Sequence, residues 1–128
     1  MTSELSILAL FGLLIVVTLF IQTLLAANDF GLRYLASSRE ENRKQTGMGG
    51  RSVRCLDNSI VAMALFAPAI LSLAVQDTFT GVTLLAAQAF LGARVIYLLA
   101  YLAGVPVLRT IFWSIGFLAT AYLYFAAI

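Results

Sequence analysis

The sequence predicts an all-α integral membrane protein, a four-helix transmembrane bundle of up-down topology. Three observations carry this. The chain has 128 residues, of which 62% are hydrophobic and only 11% charged, with a mean hydropathy of +0.98. Soluble domains run nearer 45–50% apolar and about 25% charged. The apolar residues fall into four stretches of roughly the length needed to cross a bilayer, about 20 residues each. Short polar or Gly/Pro breaks separate them. A single domain over residues 1–128 is expected, with spans at about 5–27, 54–75, 79–103 and 107–128.

Composition also excludes. A net charge of +2 with a pI near 9.0 comes largely from one loop and gives no basis for nucleic-acid binding. The chain has no histidine, so histidine-ligated metals and histidine bases are ruled out, and no Cys/Asp/Glu cluster suggests a metal. The single Cys55 cannot form an intrachain disulfide. Its place beside the basic loop suits a reducing compartment, and nothing marks it as reactive.

The first span is Leu5 to Ala27. Met1–Glu4 carries an acid and no Lys or Arg, and the apolar run exceeds a usual signal-peptide core, so it reads as a membrane span. Asn28 to Arg54 is the polar segment, in which GMGG reads as loop. A helix resumes near Arg51 and runs to about Val75, with Pro68 expected to kink it. Gln76 and Asp77 make a turn. The third span lies within Phe79 to Gly104, and Gly104-Val105-Pro106 ends it. The fourth runs to Ile128, with Tyr122, Tyr124 and Phe125 suited to an interfacial belt.

Basic residues set the expected orientation. Arg33, Arg39, Arg43, Lys44, Arg51 and Arg54 lie in the first connection and Arg109 in the third. By the positive-inside rule both connections face the cytoplasm and both termini lie outside, as for a protein of the bacterial inner membrane.

Arg94 is the most informative residue. A charge at membrane depth costs roughly 2.5–3.5 kcal/mol even on the lenient insertion scale, so it must face protein, ligand or water. Tyr97 and Tyr101 follow at offsets of three and seven, on the same helical stripe. On the second span Arg54, Asp57, Asn58 and Val61 share another stripe. Arg109 and Trp113 open the fourth from the same end. Together these outline a polar cleft suited to an anionic ligand bearing carboxylates. Blander readings stand beside this. Arg54 and Arg109 suit interfacial anchors, and Asp57 and Asn58 suit helix caps. Tyr97 and Tyr101 suit packing, and Arg94 suits a structural ion pair with Asp57.

The segment ARVIYLLAYLAGVPVLRTIFW, Ala93 to Trp113, resembles the MAPEG family, the membrane-associated proteins in eicosanoid and glutathione metabolism, in its bacterial-type form. It has that family's order of Arg, an aromatic, Tyr, a short break, then Arg. RCLDNSIVAMALF, Arg54 to Phe66, is similar to the family's R-x-x-x-N-x-x-E, with Val61 in place of the acid. The resemblance implies a homotrimer with glutathione bound between subunits. It implies ligand contacts from Arg54, Asn58, Tyr101 and Trp113, with Arg94 and Tyr97 deeper and Arg109 in the catalytic role. The activity implied is a glutathione-dependent transferase or peroxidase acting on lipophilic electrophiles. The alternative is a non-catalytic accessory or scaffold subunit of the same fold. A trimer is expected on physical grounds too, because one chain offers little interior to shield Arg94 and Arg54 from lipid.

Overall fold

The computed structural model describes residues 3–37 and 44–128. It contains five helices: α1 (Glu4–Phe30), α2 (Leu32–Ala36), α3 (Gly47–Gln76), α4 (Gly81–Ala103) and α5 (Pro106–Ala127). All but α2 are long and apolar enough to cross a membrane. At 1.5 Å per residue the shortest of the four, α5, spans about 33 Å, slightly more than a hydrocarbon core of about 30 Å. No strand occurs among the described residues.

Local signals fix the ends. Ser3 caps α1 by accepting from the Ser6 N–H at 3.1 Å. Thr80 and Thr83 form a reciprocal capping box at the start of α4, which satisfies two donors that the helix cannot. Asp77 and Gly104 stop α3 and α4 in the left-handed conformation, with φ of 56° and 76°. Pro106 opens α5 at a position where no N–H is needed.

α1 packs mainly on α3, and α5 on α4, while α3 and α4 meet across the middle. α1 and α5 do not meet, so they form opposite flanks. The core is aromatic. Phe66 stacks on Phe90 with centroids 3.9 Å apart, and Phe11 meets Phe90 edge-on at 4.8 Å. Ile7, Ile70, Leu73 and Leu123 close around them, all fully buried. The outer faces stay apolar and exposed, as at Leu13, Phe20, Leu85, Leu118 and Phe125. A bilayer suits that surface better than water.

The polar segment departs from its reading as a loop. α1 continues through Asn28 and Asp29 to Phe30, α2 follows, and α3 begins at Gly47 rather than near Arg51. Arg39 and Arg43, counted with this connection, lie outside the described residues. GMGG is therefore the first turn of a helix. Gly49 and Gly50 are there because of close approach. A Cβ on Gly50 would sit 2.9 Å from the Gln45 carbonyl oxygen, which is backbone. One on Gly49 would meet the ends of the Asp29 and Gln45 side chains at 2.5 and 2.6 Å. Gly50→Ala is accordingly expected to destabilise the fold by about 1–3 kcal/mol, as overpacking does. Thermal melting in detergent measures this, and an unchanged melt would mean that the Gln45 backbone yields freely.

Pro68 sits inside α3, which runs on past it. Its missing N–H leaves the Ala64 carbonyl without the usual helical donor. One residue along, the Leu65 carbonyl accepts a 2.5 Å hydrogen bond from the Tyr124 hydroxyl of α5. Tyr124 thus ties α5 to α3 where the helix ladder is interrupted, and is more than an interfacial residue.

Candidate functional site

Arg94 lies on the inner face of α4, 3% exposed, ten residues before Gly104 and so about 15 Å from that end of the helix. One chain shields nearly all of it. The expectation that a neighbouring subunit is needed to bury Arg94 therefore fails, because α1, α3 and α5 already surround it. Its Nη1 donates to Asn58 Oδ1 at 3.0 Å and its Nη2 to Ser59 Oγ at 2.9 Å. The guanidinium carbon lies 4.1 Å from the Tyr97 ring centroid and 5.8 Å from that of Phe11. Nε is buried without a partner.

Asp57, the acid expected to pair with Arg94, does not do so. It is exposed, while its neighbours Asn58 and Ser59 turn inward. Successive helical residues point about 100° apart; Asn58 and Ser59 straddle the direction of Arg94, which leaves Asp57, one step further round, pointing away. The buried guanidinium is held by neutral oxygens, and its positive charge is not cancelled within the described chain.

A cavity of about 260 Å³ opens between α3 and α5 beside Arg94. Asn58 and Arg94 form its polar wall. Val61, Leu65, Phe90, Phe117 and Tyr124 supply most of the rest, and Trp113 stands at its edge. Val61 lines this cavity at the position where the sequence pattern has an acid, which makes the wall next to Arg94 apolar.

A second cleft, about 220 Å³, is lined among the described residues by α4 and α5, through Tyr97, Tyr101, Arg109, Thr110 and Trp113. The Tyr97 and Tyr101 rings meet edge-on at 5.5 Å, and the Arg109 guanidinium carbon lies 4.6 Å from the Tyr101 centroid. Such stacking orients a guanidinium while leaving its N–H groups free for an anion. Trp113 lines both cavities and stacks on Phe117, with centroids 5.3 Å apart. Among the described residues no carboxylate lines either one.

Six of the seven sequence-expected residues therefore meet here: Asn58, Arg94, Tyr97, Tyr101, Arg109 and Trp113. Arg54 does not. It lines a separate cavity near the start of α3, with Lys44 and Gln45. Two residues escaped sequence reading. Ser59 completes the Arg94 cradle, and only its adjacency to Asn58 hinted at this. Arg51 donates its Nε–H to the Leu102 carbonyl at 3.2 Å, closing the end of α4; inside a run of basic residues nothing marked it out. Among the described residues no group of three potential metal ligands comes together.

No curated protein and no solved structure matches the chain. The MAPEG family model does match, over residues 7–128. With four membrane-capable helices and a match over nearly the whole length, the chain is an integral membrane protein that belongs to the MAPEG family.

Proposed function

We propose that the α4–α5 cleft binds glutathione and that the protein is a membrane transferase or peroxidase acting on lipophilic electrophiles. Family membership supports glutathione-related chemistry at the coarse level. The observation that carries the finer reading is the charge balance. Arg94 and Arg109 bring two guanidinium groups to adjoining cavities that no carboxylate lines among the described residues. Such a site suits an anionic peptide thiol, with Tyr97, Tyr101 and Thr110 hydroxyls as further polar partners.

Bound glutathione supplies a sulfur nucleophile. Arg109, oriented by the Tyr101 ring, favours the ionised thiol by placing positive charge beside it. Arg94 adds to that field from a water-poor position, where charge acts more strongly. The apolar α3–α5 cavity offers the lipophilic partner a place next to the same tryptophan. The ultraviolet absorbance of a thiolate, followed on mixing the protein with glutathione, tests this: it should appear in wild type and be missing in Arg109→Ala. Absence in wild type as well would sink the assignment.

A second reading is a non-catalytic member of the fold. Val61 in place of the acid favours it, as does an Arg94 already held by Asn58 and Ser59 without any ligand. Thiolate formation without turnover of any lipophilic electrophile or hydroperoxide would select this reading.

The homotrimer belongs to the proposal as well. Its support is the α4–α5 cleft, a polar groove that α1 and α3 do not line, on helices that lie in a membrane. Polar groups there need protein rather than lipid over them, and a second copy provides it. Native mass spectrometry in mild detergent should show three chains; a monomer at every concentration would count against it. We further propose that the basic end, with Arg33, Arg51 and Arg54, faces the cytoplasm. An Arg33→Cys variant tests this against a quiet background, because Cys55 is fully buried. Rapid labelling by an impermeant reagent in intact cells would reverse the orientation.

A further inference from the structure

The two adjoining cavities hold an imbalance of charge that bears on which thiol they admit. Arg94 is held by Asn58 Oδ1, Ser59 Oγ and the Tyr97 ring, and Arg109 by the Tyr101 ring. All of these partners are neutral. Among the described residues neither guanidinium meets a carboxylate. Glu40 and Glu41 lie outside the described residues. Leu35 and Lys44, which flank them in sequence, line the cavity on the α1–α2 side of α3 and not the one beside Arg94.

Val61 sets the character of the wall next to Arg94. It follows Asn58 by three residues on α3, so the two share a face, and both line the cavity of about 260 Å³ with Arg94. Its side chain is 58% exposed, so a longer one there meets no packed neighbour. A carboxylate at this position would accept from a cation carried in by a ligand. Valine offers no acceptor.

Glutathione carries such a cation. It has two carboxylates, a thiol and an α-ammonium, and the ammonium shares a carbon with one of the carboxylates. An arginine that takes this carboxylate draws the ammonium beside itself. The ammonium has three N–H donors and accepts nothing. Next to Arg94, the Asn58 and Ser59 oxygens already face the guanidinium. Like charges repel more strongly in a water-poor site, and an ammonium without a partner there loses its hydration as well. Acylation of the nitrogen removes that charge and keeps both carboxylates and the thiol.

We propose that Val61 makes this a site for N-acylated anionic thiols, molecules with two carboxylates and a thiol but no free ammonium, in preference to glutathione itself. This rests on the reading of the cleft as a glutathione site. The test is calorimetric titration of glutathione and of N-acetylglutathione into folded wild type, Val61→Glu and Val61→Gln in one detergent. Wild type should bind N-acetylglutathione roughly tenfold more tightly, as relief of one moderate charge repulsion gives. Val61→Glu supplies the missing partner and should reverse the order. Val61→Gln, equal in size to the glutamate but neutral, should keep the wild-type order. Val61→Asp takes the place of Val61→Glu if the latter does not melt cooperatively. Equal binding of the two thiols by wild type, or tighter binding of glutathione, would overturn the inference and leave the glutathione proposal standing. A preference for N-acetylglutathione that persists in the acidic variant, or one that vanishes in Val61→Gln, would overturn the role of Val61. Wild type that binds neither thiol would sink the glutathione reading, and this inference with it.

Discussion

Asn58→Leu is expected to destabilise the bundle by roughly 3 kcal/mol, more than any other single change at the site. Arg94 is nearly fully buried and has two side-chain partners, Asn58 and Ser59. Its Nε already lacks one. Leucine has the same heavy-atom branching as asparagine but no acceptor, so a second buried N–H of the same cation loses its partner. Removing the cation itself is a different matter. Arg94→Met deletes the charge along with its need for partners, and such replacements of buried charge are often neutral or stabilising. The double variant Asn58→Leu/Arg94→Met should therefore be more stable than Asn58→Leu alone. Thermal or denaturant melts of the three proteins in one detergent check this. If Asn58→Leu melts with wild type, Arg94 has another acceptor and the cradle described here is wrong.

Arg109→Ala is expected to weaken glutathione binding by about 2–4 kcal/mol, some thirtyfold to a thousandfold, with little loss of stability. Arg109 is half-buried near the start of α5, and its contact within the chain is the Tyr101 ring. An exposed cation–π contact contributes only about 0.5–1 kcal/mol, so the fold has little to lose. A ligand anion has much to lose, because Arg109 is the only cation among the described residues that line the α4–α5 cleft. Arg109→Lys should recover binding in part, since the charge returns without the planar, stacked geometry. Unchanged affinity in Arg109→Ala would remove this residue from the site.

Much of the fold was legible in the sequence because membrane spans are written in length and hydropathy. The breaks at Asp77 and Gly104 were equally plain, since each marks a point where the helix cannot continue. GMGG misled for a physical reason. Glycine signals a turn when its local freedom is used, but Gly49 and Gly50 serve close packing against Asp29 and Gln45. That packing depends on residues brought near only by the fold.

The site divides in the same way. Arg94, Tyr97 and Tyr101 were readable because a charge at membrane depth and a three- and seven-residue spacing place them on one stripe. Arg109 and Trp113 joined them through the helix break between Gly104 and Pro106. The second-span stripe of Arg54, Asp57, Asn58 and Val61 was read as one face, yet it is too broad to be one. Arg54 turns to the α1–α2 side, Asp57 points outward, and only Asn58 and Val61 reach the α3–α5 cavity. Charge logic favoured Asp57 as the partner of Arg94. Helical phase chose Asn58 and Ser59 instead, and left the arginine positively charged in a site with no acid. That residual charge is the feature sequence reading missed, and it is the one most pertinent to an anionic ligand.

Isothermal titration calorimetry of glutathione into the purified, folded protein tests the central claim most directly. Adjoining cavities that bring Arg94 and Arg109 together, with no carboxylate among their described lining residues, should give saturable binding, one ligand per chain, that weakens as salt screens the half-exposed Arg109. Replacing the glutathione thiol with a methyl thioether should weaken binding, because a thiolate can no longer form beside Arg109. Flat titrations with a protein that melts cooperatively and is trimeric would contradict the account, leaving a member of the family whose paired arginines serve something other than glutathione.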